Sequence, residues 1–210
     1  MKINEIFFSI QGEGILIGTP TIFIRTAGCN LRCSWCDTKY AYEDGKIMTV
    51  DEILKEVRGY PSNHICLTGG EPLMQGNSGL LIRRLLNRGC NLSIETNGSI
   101  SIRNLVPTPR LVISMDMKCP SSGEHEKMQF GEIKHLGEMD QLKFVIADNE
   151  DYEYAKGIVA KYRPRCNVVF QPLWASDFKN LAENILKDGL RVLLLPQLHK
   201  MIWGEQETGV

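Results

Sequence analysis

No stretch of the 210-residue chain approaches the roughly 20 consecutive apolar residues needed to span a bilayer, and the opening MKINEIFFSIQGEG lacks a secretory pattern. These absences set the expectation of a cytoplasmic protein that engages no membrane. Charge of one sign is also missing: 24 Lys and Arg stand against 25 Asp and Glu, a formal net charge of -1. Nucleic-acid partners call for a basic surplus, so a small-molecule partner fits better. The chain has no fixed-period repeat, no low-complexity tract and no Pro/Ser-rich linker. Its length suits one hydrophobic core, and a single domain over 1–210 is expected.

The seven cysteines are an odd number, and Cys66, Cys90, Cys119 and Cys166 are scattered, which does not describe a secreted disulfide framework. These four read as small buried apolar residues in a reducing compartment. Cys29, Cys33 and Cys36 are different, because C-x3-C-x2-C puts their sulfurs on one compact loop with no fourth cysteine nearby. Thiolates are the usual ligands of iron–sulfur clusters, and four of them saturate a cluster. A trio leaves one iron open to a substrate or cofactor, by the logic that separates catalytic from structural zinc sites. Spacing alone also allows a zinc site completed by His64 or His199.

Periodicity and turn residues place strands at 21–26, 65–68, 91–95, 111–115, 142–146, 168–170 and 190–195. Helices fall near 50–58, 79–88, 150–161 and 178–188, the first behind a capping box of Thr49 and Glu52, and Gly59 and Gly89 close the first two. Residues before 21 give only a short extended start, and 120–138 has weak periodicity. Such alternation predicts an α/β fold: an incomplete TIM-type barrel of about six parallel strands with crossover helices. Polar residues gather just after the strands, as on the functional face of such sheets. The tail, 201–210, is either loosely ordered or a cover over that face.

Gly69-Gly70-Glu71-Pro72 follows a strand about 30 residues after the cysteine loop. Glycines let backbone approach a ligand closely, and a carboxylate accepts charge-assisted hydrogen bonds from an ammonium. Together with the cysteine spacing and Trp35 before the last cysteine, this resembles the radical S-adenosylmethionine superfamily. There the open iron of a 4Fe-4S cluster binds S-adenosylmethionine, and electron transfer cleaves the sulfonium to a 5′-deoxyadenosyl radical. Gln11-Gly12-Glu13-Gly14, Arg25, Cys36-Asp37-Thr38, Glu95-Thr96-Asn97-Gly98 and Gln197-Leu198-His199-Lys200 narrow the match over nearly the whole chain. They resemble the 7-carboxy-7-deazaguanine synthase family.

The resemblance implies conversion of 6-carboxy-5,6,7,8-tetrahydropterin to 7-carboxy-7-deazaguanine with loss of ammonia, a step toward deazapurine tRNA nucleosides. It implies Mg²⁺ as a further cofactor, a homodimer, and an external electron donor such as flavodoxin or ferredoxin. By the same resemblance Ile10, Gln11, Gly12 and Glu13 form a substrate loop and Arg25 pairs with the substrate carboxylate, which also suits a guanidinium fork. Thr38 matches a magnesium ligand, reasonable for an ion that retains much of its water. Thr68 matches a substrate contact; Trp35, Asp37, Gly70 and Glu71 match cofactor positions.

Glu95 and Asn97 are read as contacts to the pterin ring or ribose, with an Asx turn at Asn97-Gly98 as the plainer alternative. Ser114, Asp116 and Lys118 fall where the family places cofactor contacts, the sequence leaving open which of them touches it, and Gln171 is a candidate adenosine contact. His199 reads equally as a metal or substrate ligand and as a surface residue. Two rivals are weighed. A glycyl-radical activase would share the cysteines but not Gln11-Gly12-Glu13-Gly14 or Cys36-Asp37-Thr38, and a zinc or electron-transfer module would want a fixed fourth ligand.

Overall fold

The computed structural model describes residues 1–206 and 208–210. Its strands are β1 (Lys2–Ile10), β2 (Pro20–Thr26), β3 (Lys46–Ile47), β4 (His64–Gly69), β5 (Asn91–Thr96), β6 (Leu111–Asp116), β7 (Gln141–Ile146), β8 (Asn167–Pro172) and β9 (Leu193–Leu194). Its helices are α1 (Val50–Val57), α2 (Ser78–Asn87), α3 (Asn149–Tyr162), α4 (Phe178–Asp188) and α5 (Leu198–Trp203). One sheet runs β3-β1-β2-β4-β5-β6-β7-β8-β9, parallel from β2 to β9. It is a partial barrel of six strands of six or seven residues plus the short β9. Among the described residues no helix is long and apolar enough to cross a membrane.

Strand alternation sorts the side chains. Leu142, Phe144 and Ile146 of β7 and Val168 and Phe170 of β8 join the outer core with Tyr152, Ala155 and Ile158 of α3. Their neighbours Lys143 and Val145 face the barrel interior, as do Glu95 of β5 and Asp116 of β6. The interior is therefore polar, and the apolar core lies between sheet and helices. Helix α1 starts with the expected capping box: Thr49 Oγ1 accepts from Glu52 N at 3.2 Å and Glu52 Oε2 from Thr49 N at 2.7 Å. Such a cap stabilises by about 0.5–2 kcal/mol.

Three segments differ from the sequence reading. The short extended start is a nine-residue strand, β1, paired antiparallel with β2 and stacking Phe7 on Phe23 at 4.9 Å. Its mixed burial hides the period of two. The last strand, expected over 190–195, shrinks to Leu193–Leu194, pairing only with Val169 and Phe170 before Pro196 ends the ladder. The tail covers the barrel mouth: after α5, Glu205, Gln206 and Val210 line the central cavity, and Gly209 N donates to Glu5 Oε2 at 3.1 Å.

Candidate active site

A cavity of about 560 Å³ opens at the C-terminal ends of the parallel strands. Its first wall is the loop leaving β2. Gly28, at φ +98, turns the chain into Cys29, and all three clustered cysteines line the cavity. The loop is clamped from behind. Ser34 N and Oγ donate to the carbonyls of Ser122 (3.0 Å) and Ser121 (2.6 Å), and Arg32 N donates to Glu124 Oε1 (2.7 Å). Trp35 Nε1 donates to Ser121 Oγ at 3.0 Å, while Ser121 donates through N and Oγ to the fully buried Asp151 at 2.9 and 2.5 Å. One carboxylate at the start of α3 thus fixes the loop two bonds away.

The three thiols suit a cluster. Leu31 N and Asn97 Nδ2 donate to Cys29 Sγ at 3.4 and 3.7 Å, the sulfur-directed bonds that tune such centres. Burial pushes the Cys29 thiol up and the Cys33 thiol to about 11; binding iron would strip these protons. Among the described residues no three His, Cys, Asp or Glu side chains gather around a single-ion position. His64 begins β4, at the strand end away from the cysteine loop, and contacts Asn91 at 3.5 Å, so it cannot complete a zinc site there.

The second wall is the turn after β4. Gly69 sits at φ +132, and a side chain at Gly70 would strike the Gly28 carbonyl, so this turn and the cysteine loop touch backbone to backbone. Glu71 N donates to Gly28 O at 2.8 Å. The Glu71 carboxylate does not reach the cavity. It is fully buried, accepting from Thr96 Oγ1 at 3.0 Å, Asn97 N at 2.7 Å and Leu73 N at 2.9 Å. In this structure its work is to tie the β4 and β5 ends together. Burial leaves it above the usual carboxylate range.

The floor is charged. Lys143, only 4% exposed, pairs with Glu13 and lies 3.5 Å from Asp116 Oδ2 and 3.9 Å from Glu95 Oε2. Lys118 pairs with Asp116 at 3.2 Å and lies 5.0 Å from the Trp35 ring centroid. Burial alone would lower the Lys143 ammonium, yet Glu13, Asp116 and Glu95 hold it well above the usual lysine range. Burial likewise pushes Glu13 up, but Lys143, His199 and Gln197 bring it below the usual range. For Glu95 burial prevails over Lys143 and Ser114, and its carboxyl stays raised.

The remaining candidates divide. Ile10, Gln11, Gly12, Arg25, Asp37, Thr38, Thr68, Asn97 and His199 line the cavity. Arg25 donates from Nε to Glu5 Oε1 at 2.7 Å, leaving the terminal amino groups as the fork for a ligand carboxylate. Thr38 Oγ1 lies 3.6 Å from Cys36 Sγ. Asn97 makes the Asx turn, its Oδ1 accepting from Ser99 N at 3.0 Å while Nδ2 serves the cysteine loop. Gly12 has no room for a side chain against the His199 ring, which brings the C-terminal helix onto the N-terminal loop.

Ser114 and Gln171, like Glu71, lie outside the cavity lining. Ser114 Oγ donates to Glu95 Oε2 at 2.6 Å and accepts from Gln141 Nε2 at 2.5 Å, so it positions the wall from behind. Gln171 is fully buried, both amide atoms lacking a partner among the described residues, and sits opposite Val145, which lines the cavity. An unpaired buried amide is costly, and an adenine edge offers the donor and acceptor it lacks. With the glycine turn and the open sulfur trio, the donor set suits S-adenosylmethionine on a cluster. The sequence reading missed Lys143, Asp151 and Ser121, and quoted Gln197 within its motif without a role. Lys143 had one signal, a lone charge inside the strand at 142–146.

The family model described as the radical SAM superfamily matches residues 23–127. With this fold and site, the chain is a radical SAM enzyme, a class that works with a 4Fe-4S cluster and S-adenosylmethionine. QueE from Escherichia coli has a solved structure that superposes with a TM-score of 0.77 at 24% identity, covering 94% of each chain. The 7-carboxy-7-deazaguanine synthase of Thermoplasma acidophilum is 43% identical, covering 98% of both chains. That of Methanospirillum hungatei is 40% identical over 96% of this chain and 85% of its own. The chain belongs to the 7-carboxy-7-deazaguanine synthase family.

Proposed function

We propose that this chain forms 7-carboxy-7-deazaguanine from 6-carboxy-5,6,7,8-tetrahydropterin with release of ammonia, serving deazapurine tRNA nucleosides. The observation that carries the reading is the meeting, in one cavity, of the cysteine trio with Arg25 and the Glu13–Lys143–Glu95 floor. When bound, the cluster and S-adenosylmethionine supply a carbon radical able to remove a hydrogen atom, which this side-chain set cannot generate. The protein positions and shields. Arg25 takes the substrate carboxylate on its terminal amino groups, and Ile10, Gln11, Gly12 and Glu13 close over the ring with Thr68 and His199. Glu95 accepts from the N–H groups of the pyrimidine edge.

Trp35, Asp37, Gly70, Asp116 and Lys118 border the cofactor, Gln171 meets its adenine, and Glu71 and Ser114 brace these walls from behind. Thr38, beside Cys36, holds Mg²⁺ together with water and substrate oxygens. The protein acts as one radical SAM domain over 1–210, a homodimer in the cytoplasm, where all seven free cysteines persist. A small electron-transfer protein, flavodoxin or ferredoxin, reduces the cluster. An anaerobic assay with the carboxypterin, S-adenosylmethionine, Mg²⁺ and a reductant tests the proposal. The deazaguanine product is expected. Cluster-loaded protein that cleaves S-adenosylmethionine but leaves the carboxypterin intact would overturn it.

A further inference from the structure

Lys143 is the most enclosed charge of the cavity floor. It joins three parts of the chain: Glu13 after β1, Glu95 at the end of β5 and Asp116 at the end of β6. Both Glu13 oxygens are engaged, one by Lys143 and the other by Gln197 Nε2 at 2.9 Å. Glu95 differs. Its Oε2 accepts from Ser114 and faces Lys143, whereas Oε1 has no protein partner among the described residues and the side chain lines the cavity.

We infer that Lys143 is a positioning residue for substrate recognition, its buried ammonium holding Glu95 as an oriented, ionised acceptor for a ligand that presents adjacent N–H donors. A carboxylate facing an amino-pyrimidinone edge accepts two such bonds only while ionised; protonated, it becomes a donor against donors. The proposed pterin substrate supplies that edge, so the inference rests on that reading for the ligand's identity. The coupling of Lys143 to Glu95 stands on the geometry alone.

The groups facing Glu95 are Lys143 from β7, Asp116 and Ser114 from β6, Cys66 from β4, and Glu13 with its neighbour His199 from the terminal segments. Of these, only Lys143 lies as a cation within 4 Å of Glu95. Asp116 and Glu13 oppose the charge on Glu95, whose carboxyl is already raised by burial. Without the ammonium it would rise further, so Glu95 would protonate at a higher pH. The acidic limb of kcat/KM would then move to higher pH.

The test is an infrared pH titration of the cluster-loaded protein in wild type, Lys143→Met, Lys143→Arg and Glu95→Gln, alongside KM for the carboxypterin and S-adenosylmethionine binding. In Lys143→Met the protonated-carboxyl band should appear at least about one pH unit higher than in wild type, with KM raised about tenfold or more at pH 7. Cofactor affinity should change less than KM, since Lys143 reaches the cofactor side only through Asp116. Lys143→Arg should restore most of the wild-type profile. Adding Glu95→Gln to Lys143→Met should erase the shifted band, and Glu95→Gln alone should raise KM at every pH. Matching titrations in wild type and Lys143→Met would overturn the inference. So would an unchanged KM in Glu95→Gln, which remains informative if Lys143→Met does not fold. Failure of wild type to turn over the carboxypterin would sink the substrate reading, while the infrared titration still decides the coupling.

Discussion

The two walls of the cavity are built by different means. On the cysteine wall most bonds involve backbone: Gly28 N to Ala41 O, Glu71 N to Gly28 O and Gly70 N to Thr26 O, at 2.8 to 3.0 Å, with Ser34, Trp35 and Arg32 clamped from behind by Ser121, Ser122 and Glu124. On the charged floor, side chains meet across the whole chain, Glu13 reaching Lys143 and Gln197 over 130 and 184 residues. Backbone hydrogen bonds need no particular charge state, so on the cysteine wall only the bonds that end on Asp151 and Glu124 depend on ionisation. The floor depends on which groups are ionised, because a buried charge that loses its partner becomes costly. The cavity thus lies between a wall set mainly by backbone bonds and a floor set by paired charges.

The comparison breaks most completely at the cysteines. Cys29→Ala, Cys33→Ala and Cys36→Ala should each abolish cluster assembly, seen as loss of bound iron and sulfide. Cys90→Ala and Cys166→Ala should retain it, since neither lines the cavity. Next comes Arg25→Ala. Losing one partner of a buried, hydrogen-bonded charge pair costs about 2 to 5 kcal/mol in binding, roughly thirtyfold or more, and Arg25→Lys should recover part of it. Calorimetric titration checks this: carboxypterin should weaken while S-adenosylmethionine binding persists, and equal loss of both would point to a folding defect.

A smaller effect sharpens the contrast from the other side. Ser121→Ala removes the hydroxyl that donates to Asp151 Oδ2 and accepts from Trp35 Nε1; Oδ2 keeps its bond from Ala147 N, so the loss is that of a hydrogen bond to a charged group, about 1.5–3 kcal/mol. Because that bridge backs the cysteine loop, S-adenosylmethionine affinity should fall more than carboxypterin affinity. Titrating both ligands shows whether the bias runs that way. Smallest is Thr49→Ala, which removes the α1 cap and should cost about 1 kcal/mol in denaturant unfolding with unchanged turnover.

The same division decides what could be read from the chain. The cysteine loop, Gly69-Gly70-Glu71-Pro72 and the α1 capping box are contiguous motifs whose chemistry is local, and each lies where the sequence places it. The parallel strands were legible for a similar reason, since turn residues punctuate them. Lys143 was not. Within a strand buried along its length, alternation turns it to the barrel interior, but nothing nearby in sequence names Glu13 as its partner. Glu71 shows the converse: the motif marks it as a ligand contact, whereas tertiary packing spends its carboxylate on Thr96, Asn97 and Leu73. Asn97 is similar, its amide divided between an Asx turn and the cysteine loop.

The central claim is that the cysteine trio leaves one iron of the cluster open to the cofactor, and electron paramagnetic resonance of the anaerobically reduced protein tests it most directly. Spectra recorded before and after adding S-adenosylmethionine should differ, with the cluster signal shifted by direct coordination of the amino and carboxylate groups. A fully assembled cluster whose signal ignores S-adenosylmethionine would contradict the account.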